Sequence, residues 1–159
     1  MKCICAISPC GFMAQGPNDD MKWTPKVDKQ IFQLITSLTG GVCFVSKATK
    51  QMMPAVLTGR TLVEVSRNGL TLETAAKKFP EGVIIGGPEM LRVAITKNLI
   101  TDLIVNTVQF IKPSVFMNTD EKYRFPFDLM HGIISHRVMT IDWGAVHTQV
   151  FRLGVHDKW

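Results

Sequence analysis

Residues 83–91 read VIIGGPEML, and this stretch says most about the fold. An apolar run ends in two glycines, and Pro88 suits the first position of a helix. The pattern predicts a buried strand over residues 82–85 and a helix over about 88–95. Glycines let a phosphate group approach the backbone, and a helix N-terminus favours its negative charge. Glycine pairs also end strands for purely steric reasons, so this segment alone leaves both interpretations open.

Strand and helix patterns alternate on both sides of this stretch, and a β-rich tail follows. This order predicts one α/β domain over residues 1–159, with a mostly parallel twisted sheet, helices on both faces and an antiparallel C-terminal edge hairpin around Gly144. Thr24 is the expected N-cap of the first helix, with Pro25 at its first position. Residues 109–132 show the least pattern. The predicted strands cover residues 2–8, 42–45, 61–66, 82–85, 103–108, 133–142 and 147–153, and the predicted helices cover 24–39, 48–53, 72–79 and 88–95.

Composition narrows the classes of partner. The net charge of +5 suits an anionic partner, either nucleic acid, acidic lipid or a phosphorylated cofactor. The basic residues are scattered, which argues against nucleic acid. No stretch approaches the roughly 18 apolar residues of a membrane helix. The four cysteines and four histidines, including His156, lack metal-ligand spacing, and the cysteines suit buried positions in a reducing cytosol. We expect a cytoplasmic monomer without a metal.

Asp28 is a candidate for proton chemistry. It lies in the first turn of the predicted 24–39 helix and shares a face with Ile31, Phe32 and Ile35. A carboxylate that borders an apolar face can be partly desolvated, which raises its pKa and lets it exchange protons. Acidic residues near helix N-termini are more often solvated and favour the helix dipole, so that alternative stays open.

Arg60 ends the turn Thr58-Gly59-Arg60, which leads into a predicted strand. An arginine fixed beside a cleft can hold a carboxylate through two parallel hydrogen bonds. A lone arginine is by default a surface residue, so the position needs support from elsewhere.

Taken together, the order and spacing of these features resemble the dihydrofolate reductases. Asp28 follows Trp23 by five residues and precedes Phe32 by four, and then come Arg60 and the Gly86-Gly87 strand end. The resemblance spans roughly residues 3–108 and resumes over 147–153. It implies NADPH-dependent reduction of 7,8-dihydrofolate, with hydride transfer to C6 and protonation at N5.

Family roles can be assigned to the matching positions. The resemblance implies that Asp28 binds the pterin, that Arg60 holds the glutamate α-carboxylate, and that residues 16–21 form a mobile loop over the nicotinamide. Asn106 stands where the family has a threonine that hydrogen-bonds the carboxylate. The implied catalytic residues are Asp28, Met21 and Asn106, and the implied substrate-binding residues are Cys5, Ala6, Asp28, Lys29, Phe32, Met53, Leu57, Arg60 and Ile85.

The same resemblance implies an NADPH site. Lys47 and Arg67 would pair with the 2′-phosphate, which favours NADPH over NADH. The family's double glycine joins through a cis peptide bond. The implied cofactor-binding residues are Ile7, Gln15, Gly16, Lys47, Ala48, Thr49, Ser66, Arg67, Gly86, Gly87, Pro88, Glu89, Met90 and Leu91.

Departures from the family pattern indicate a divergent member, of the kind carried by phages or plasmids. Ser46 and Pro88 replace glycines, and Ala48 replaces a basic residue. Because Lys29, Leu91 and Asn106 also differ and border the inhibitor pocket, we expect diaminopyrimidine antifolates to bind more weakly than in typical bacterial members. Two alternatives stay open: a reductase similar to that of riboflavin biosynthesis, and a folate- or nucleotide-binding structural protein without turnover.

Overall fold

The computed structural model describes residues 1–17, 19–53 and 57–153. Asn18, which falls in the predicted mobile loop, residues 54–56, and residues 154–159 with His156 lie outside the described part. The strands are β1 (Lys2–Ile7), β2 (Val42–Val45), β3 (Thr61–Glu64), β4 (Val83–Ile84), β5 (Asp102–Val108), β6 (Arg137–Asp142) and β7 (Val146–Arg152). The α-helices are α1 (Lys26–Leu38), α2 (Lys47–Met52), α3 (Leu72–Lys78) and α4 (Pro88–Thr96).

These strands form one seven-stranded sheet in the order β3-β2-β4-β1-β5-β7-β6. The first five strands in this order pair in parallel, whereas β7 is antiparallel to both β5 and β6. The predicted α/β class, with a mostly parallel sheet and an antiparallel C-terminal hairpin, is therefore confirmed. The hairpin turns at Gly144, whose φ is +84°.

The sheet separates two apolar clusters because successive side chains of a strand point to opposite faces. Cys3 and Cys5 of β1 join one cluster, in which Leu91 of α4 is fully buried. Ile4 of the same strand joins the other cluster, which contains Ile31 of α1. Both faces are thus covered by helices, as the alternation of patterns predicted.

The start of α1 differs from the prediction. Pro25, not Thr24, is the N-cap, and the first helical residue is Lys26. The hydroxyl of Thr24 is engaged in the preceding turn, where Oγ1 donates to the carbonyl of Met21 at 2.7 Å. It therefore does not cap the helix.

The segment between β5 and β6 contains short 3₁₀ helices instead of a longer strand. The predicted strand over 133–142 begins at Arg137, because the chain before it is still helical. The 3₁₀ helices cover Pro113–Phe116, Glu121–Tyr123, Phe127–Gly132 and Ile134–His136. No helix in the described part of the chain has the length and apolar character needed to cross a membrane.

Candidate active site

Asp28 is buried on the sheet-facing side of α1, with 8% of its surface exposed. Its Oδ1 accepts a hydrogen bond from Nδ2 of Asn106 on β5, at 3.3 Å. Burial raises the pKa of the Asp28 carboxyl, while the bond from Asn106 and the charge of Lys29 act in the opposite direction. The solvated alternative for Asp28 therefore does not hold, and its predicted contact with Asn106 is confirmed.

Two residues that the sequence analysis did not select complete the surroundings of Asn106. Thr148 on β7 is the register partner of Asn106, and its Oγ1 lies 2.6 Å from Asn106 Oδ1. The indole Nε1 of Trp143 donates to Thr148 Oγ1 at 2.9 Å. Only the pairing register of β5 with β7 brings these side chains together, so the sequence alone offers no signal for them.

Arg60, from the turn before β3, contacts α1 on the same face as Asp28. Its NH1 donates to Oγ1 of Thr36 at 3.4 Å, and its guanidinium carbon lies 5.6 Å from the centroid of the Phe32 ring. Asp28, Phe32 and Thr36 are spaced four residues apart, so they follow one face of α1. Eight residues of α-helix span about 12 Å. A carboxylate and a guanidinium thus flank one aromatic ring along α1.

Several predicted substrate residues gather on this side of the sheet. Ala6, Phe32 and Ile85 all pack in the apolar cluster that α1 covers. Cys5 is buried on the opposite side, although its thiol is close enough to Asp28 for the carboxylate to raise its pKa. Met53 and Leu57 are half-buried and flank residues 54–56, which lie outside the described part.

Lys29, a predicted substrate contact, is bonded to the loop before α1. Its Nζ donates to the carbonyl oxygen and to Oγ1 of Thr24, at 2.8 and 2.9 Å. The side chain is exposed and folds back towards the loop before α1. The ammonium group prefers these oxygens to the apolar face because they satisfy its donors.

The loop before α1 is organised by Asp19, another residue that the sequence analysis missed. Asp19 is buried, and its carboxylate accepts bonds from the backbone N–H of Gln15 and Met21 and from Nε1 of Trp23, at 2.7 to 2.8 Å. Met21 has a positive φ of 59°. An aspartate that bonds backbone N–H groups two residues ahead is a common turn signal, and this could have identified it.

Residues predicted for the cofactor converge where β2 and β4 end. Ser46 caps α2 by accepting a bond from the N–H of Thr49, and the two hydroxyl oxygens are 3.1 Å apart. A Cβ added to Gly86 would lie 3.4 Å from Cγ2 of Thr49. The Gly86–Gly87 peptide bond is cis, as the resemblance implied. The hydroxyl-bearing side chain of Thr49 therefore faces the glycine backbone of Gly86 at this edge of the sheet.

A cavity of about 390 Å³ adjoins this edge. Ser46, Ser66, Arg67, Glu89 and Met90 are among its lining residues. Arg67 NH2 lies 2.6 Å from Glu89 Oε1, so the predicted phosphate ligand is paired with a carboxylate. A cavity of about 210 Å³ lies elsewhere, beside Cys10 and Phe116, and Asp28 lines neither of the two.

The remaining residues predicted to bind the cofactor differ in solvent exposure. Leu91 has no exposed surface and is packed in the core, so its side chain cannot contact a ligand; that prediction is wrong because α4 turns this position towards the sheet. Ile7 is also in the core. Lys47 and Ala48 are exposed, and Gly16 and Pro88 are half-buried.

No protein-family model matches the chain, and no curated protein matches it. Among the described residues, no group of three His, Cys, Asp or Glu side chains is placed to hold a metal ion.

Proposed function

We propose that this protein is an NADPH-dependent dihydrofolate reductase. The observation that carries the proposal is the stripe along α1, where the buried Asp28 and the Arg60 guanidinium lie at opposite ends with Phe32 between them. A folate has the complementary order: a heterocycle with N–H donors, an aromatic ring, and a carboxylate tail. Asp28 and Thr36 are about 12 Å apart along the helix, and Arg60 contacts the stripe at its Thr36 end.

Asp28 would bind the 2-amino group and a ring N–H of the pterin. Its negative charge would favour protonation at N5, through a water molecule. Because the carboxylate is desolvated, its field on the heterocycle is stronger than that of a carboxylate in water.

Arg60 retains the donors that a substrate carboxylate needs. A guanidinium has five N–H groups. Among the described residues, Nε–H is directed at the carbonyl of Thr58 and one NH1 hydrogen at Thr36, and the other three N–H groups are available to a ligand. These three suffice for a bidentate pair with a glutamate α-carboxylate.

NADPH supplies the hydride when bound. The fit of the chain to this group rests on the edge where Thr49 faces Gly86 and on the adjoining cavity with Ser66 and Arg67. Gly86 and Gly87 precede α4, whose N-terminus favours a negative charge. Arg67 would exchange Glu89 for the 2′-phosphate, an exchange open to a pair that is mostly solvent-exposed.

The test is to mix the purified protein with dihydrofolate and NADPH and to follow the absorbance loss in the near-ultraviolet band of the cofactor. We expect turnover in the wild type and its loss in Asp28→Asn. Binding of both ligands without turnover would instead support the structural-protein alternative. Turnover of a ribosylamino pyrimidine in place of dihydrofolate would support the riboflavin-type alternative.

The expectation of weaker antifolate binding now depends mainly on Asn106. Lys29 folds back to Thr24 and Leu91 is buried in the core, whereas Asn106 directly contacts Asp28. We therefore expect the substitution Asn106→Thr to tighten diaminopyrimidine binding. An inhibition constant that Asn106→Thr leaves unchanged would contradict this explanation.

A further inference from the structure

A buried hydrogen-bond chain connects Asp28 with the surface of the terminal hairpin. From the carboxylate it runs through the amide of Asn106 and the hydroxyl of Thr148 to the indole of Trp143, with links of 3.3, 2.6 and 2.9 Å. Asn106 and Thr148 are 1% and 4% exposed, whereas Trp143 is 46% exposed. The reaction proposed above invokes Asp28 but neither Thr148 nor Trp143.

The indole sets the direction of every bond in this chain. Its N–H can only donate, so the hydroxyl oxygen of Thr148 accepts from Trp143. The single hydroxyl proton of Thr148 is then directed at Asn106, and it requires the amide oxygen there. The NH₂ group of Asn106 consequently faces Asp28. An NH₂ group can only donate, and a carboxylate can only accept.

We propose that Thr148 and Trp143 are positioning residues that hold the NH₂ group of Asn106, and not its oxygen, against the Asp28 carboxylate. The amide of asparagine is nearly symmetric in shape, so packing alone does not select one orientation. With the orientation fixed, the bond favours the ionised form of Asp28. This inference deepens the proposed function, and its meaning for the reaction rests on that function.

The hairpin is built to deliver the indole to this point. The backbone N–H of Trp143 donates to the carbonyl of Val146 at 2.9 Å, and the N–H of Gly144 donates to Oδ1 of Asp142 at 2.8 Å. These bonds fold the turn so that Trp143 lies over the β7 residue Thr148. The partly exposed Trp143 thereby donates a hydrogen bond to the buried hydroxyl of Thr148.

Other charged or titratable groups near Asp28 do not impose an orientation on Asn106. Lys29 on α1 is exposed and bound to Thr24. The thiol of Cys5 on β1 has a pKa raised to about 12 by burial and by Asp28, so it stays neutral over the working pH range. Asn106 is thus the donor through which a change in the chain reaches the carboxylate.

The first experiment uses the ligand-free protein and the ¹⁵N–¹H resonance of the Trp143 indole, assigned with Trp143→Phe. We expect this resonance to move with pH at the midpoint of the Asp28 carboxyl ¹³C signal. Asp28→Asn is the control, because it removes the titrating carboxyl from the hydrogen-bond chain. In that variant the change of the indole resonance at the Asp28 midpoint should vanish. Its persistence in Asp28→Asn would overturn the proposal.

The second experiment follows the Asp28 carboxyl signal in variants that alter the hydrogen-bond chain. Trp143→Phe and Thr148→Val should raise its midpoint, so that at fixed pH the carboxylate-to-acid ratio falls by about threefold to tenfold. Thr148→Ser, which keeps the hydroxyl, should restore it. Thr140→Val on the exposed strand β6 is the matched control and should leave it unchanged. Trp143→Phe tests the proposal even where Thr148→Val fails to fold.

An unchanged midpoint in Trp143→Phe, or an equal displacement in Thr140→Val, would overturn the proposal. Neither measurement needs a substrate. A protein that passes both tests but does not reduce dihydrofolate would overturn the proposed function alone. A protein that reduces dihydrofolate but fails them would overturn the positioning role alone.

Discussion

The substitution Arg60→Gln tests whether Arg60 binds the carboxylate tail of the substrate at one end of α1. It removes the charge and the fork of donors at one end of the stripe while leaving Asp28 at the other end. Hydrogen bonds to a charged group contribute about 1.5–3 kcal/mol. Because Arg60 is half-exposed, we expect a loss of about 2 kcal/mol, which corresponds to a roughly 30-fold weaker affinity for dihydrofolate.

The assay compares two substrates by steady-state kinetics and ligand titration: dihydrofolate, and a dihydropterin without the benzoylglutamate. Only the first should respond to Arg60→Gln, whereas Asp28→Asn should impair both. Arg60→Lys keeps the charge without the fork and should fall between wild type and Arg60→Gln.

Arg92→Gln is the matched control, since Arg92 pairs with Asp128 on the surface of α4. Equal losses for both substrates in Arg60→Gln, after thermal unfolding has shown the variant to be folded, would refute the assignment. So would an unchanged affinity for dihydrofolate.

Three further expectations concern the pH response and the cofactor edge. Because burial raises the pKa of Asp28 above its unfolded value, the carboxyl's contribution to stability is present in acid and is lost as pH rises through the folded pKa. The stability gained by Asp28→Asn, measured by urea unfolding, should therefore be larger at about pH 7 than at about pH 4. A gain independent of pH would contradict this expectation. Glu89→Gln frees Arg67 from an exposed ion pair and should tighten NADPH binding by up to about fivefold without affecting NADH, as checked by fluorescence titration; an equal gain for NADH would speak against a 2′-phosphate contact. Gly86→Ala and Gly40→Ala each force a side chain onto a positive φ and should each lose about 1–3 kcal/mol, but only Gly86→Ala should weaken NADPH binding, because nothing lies near a Cβ at Gly40.

The fold was readable from the sequence because its central strands β1, β2 and β4 are mostly apolar runs bounded by clear turns. The helix starts depended on caps, and there a competing bond intervened: Thr24 uses its hydroxyl on Met21, so α1 begins at Lys26. The segment 113–136 contains short 3₁₀ helices, which lack the 3.6-residue period that predicts an α-helix.

The site was readable only in part. Asp28 and Phe32 share one helix, so their common face follows from spacing, but Arg60 reaches that face from another segment through Thr36. The contact between Asn106 and Thr148 depends on how β5 and β7 are aligned, and a shift of one residue would separate them. Arg67 also depends on tertiary structure, because its pairing with Glu89 joins residues 22 positions apart.

The position of β7 between β5 and β6 has a consequence for biosynthesis. β6 leaves the ribosome first, yet it has no place on the sheet until β7 has been made and inserted between it and β5. Until then Asn106 has no Thr148 beside it, and Trp143 has nothing to bond. A nascent chain can therefore assemble the five parallel strands early. The hydrogen-bond chain that begins at Asp28 is complete only after almost all of the described residues have been translated.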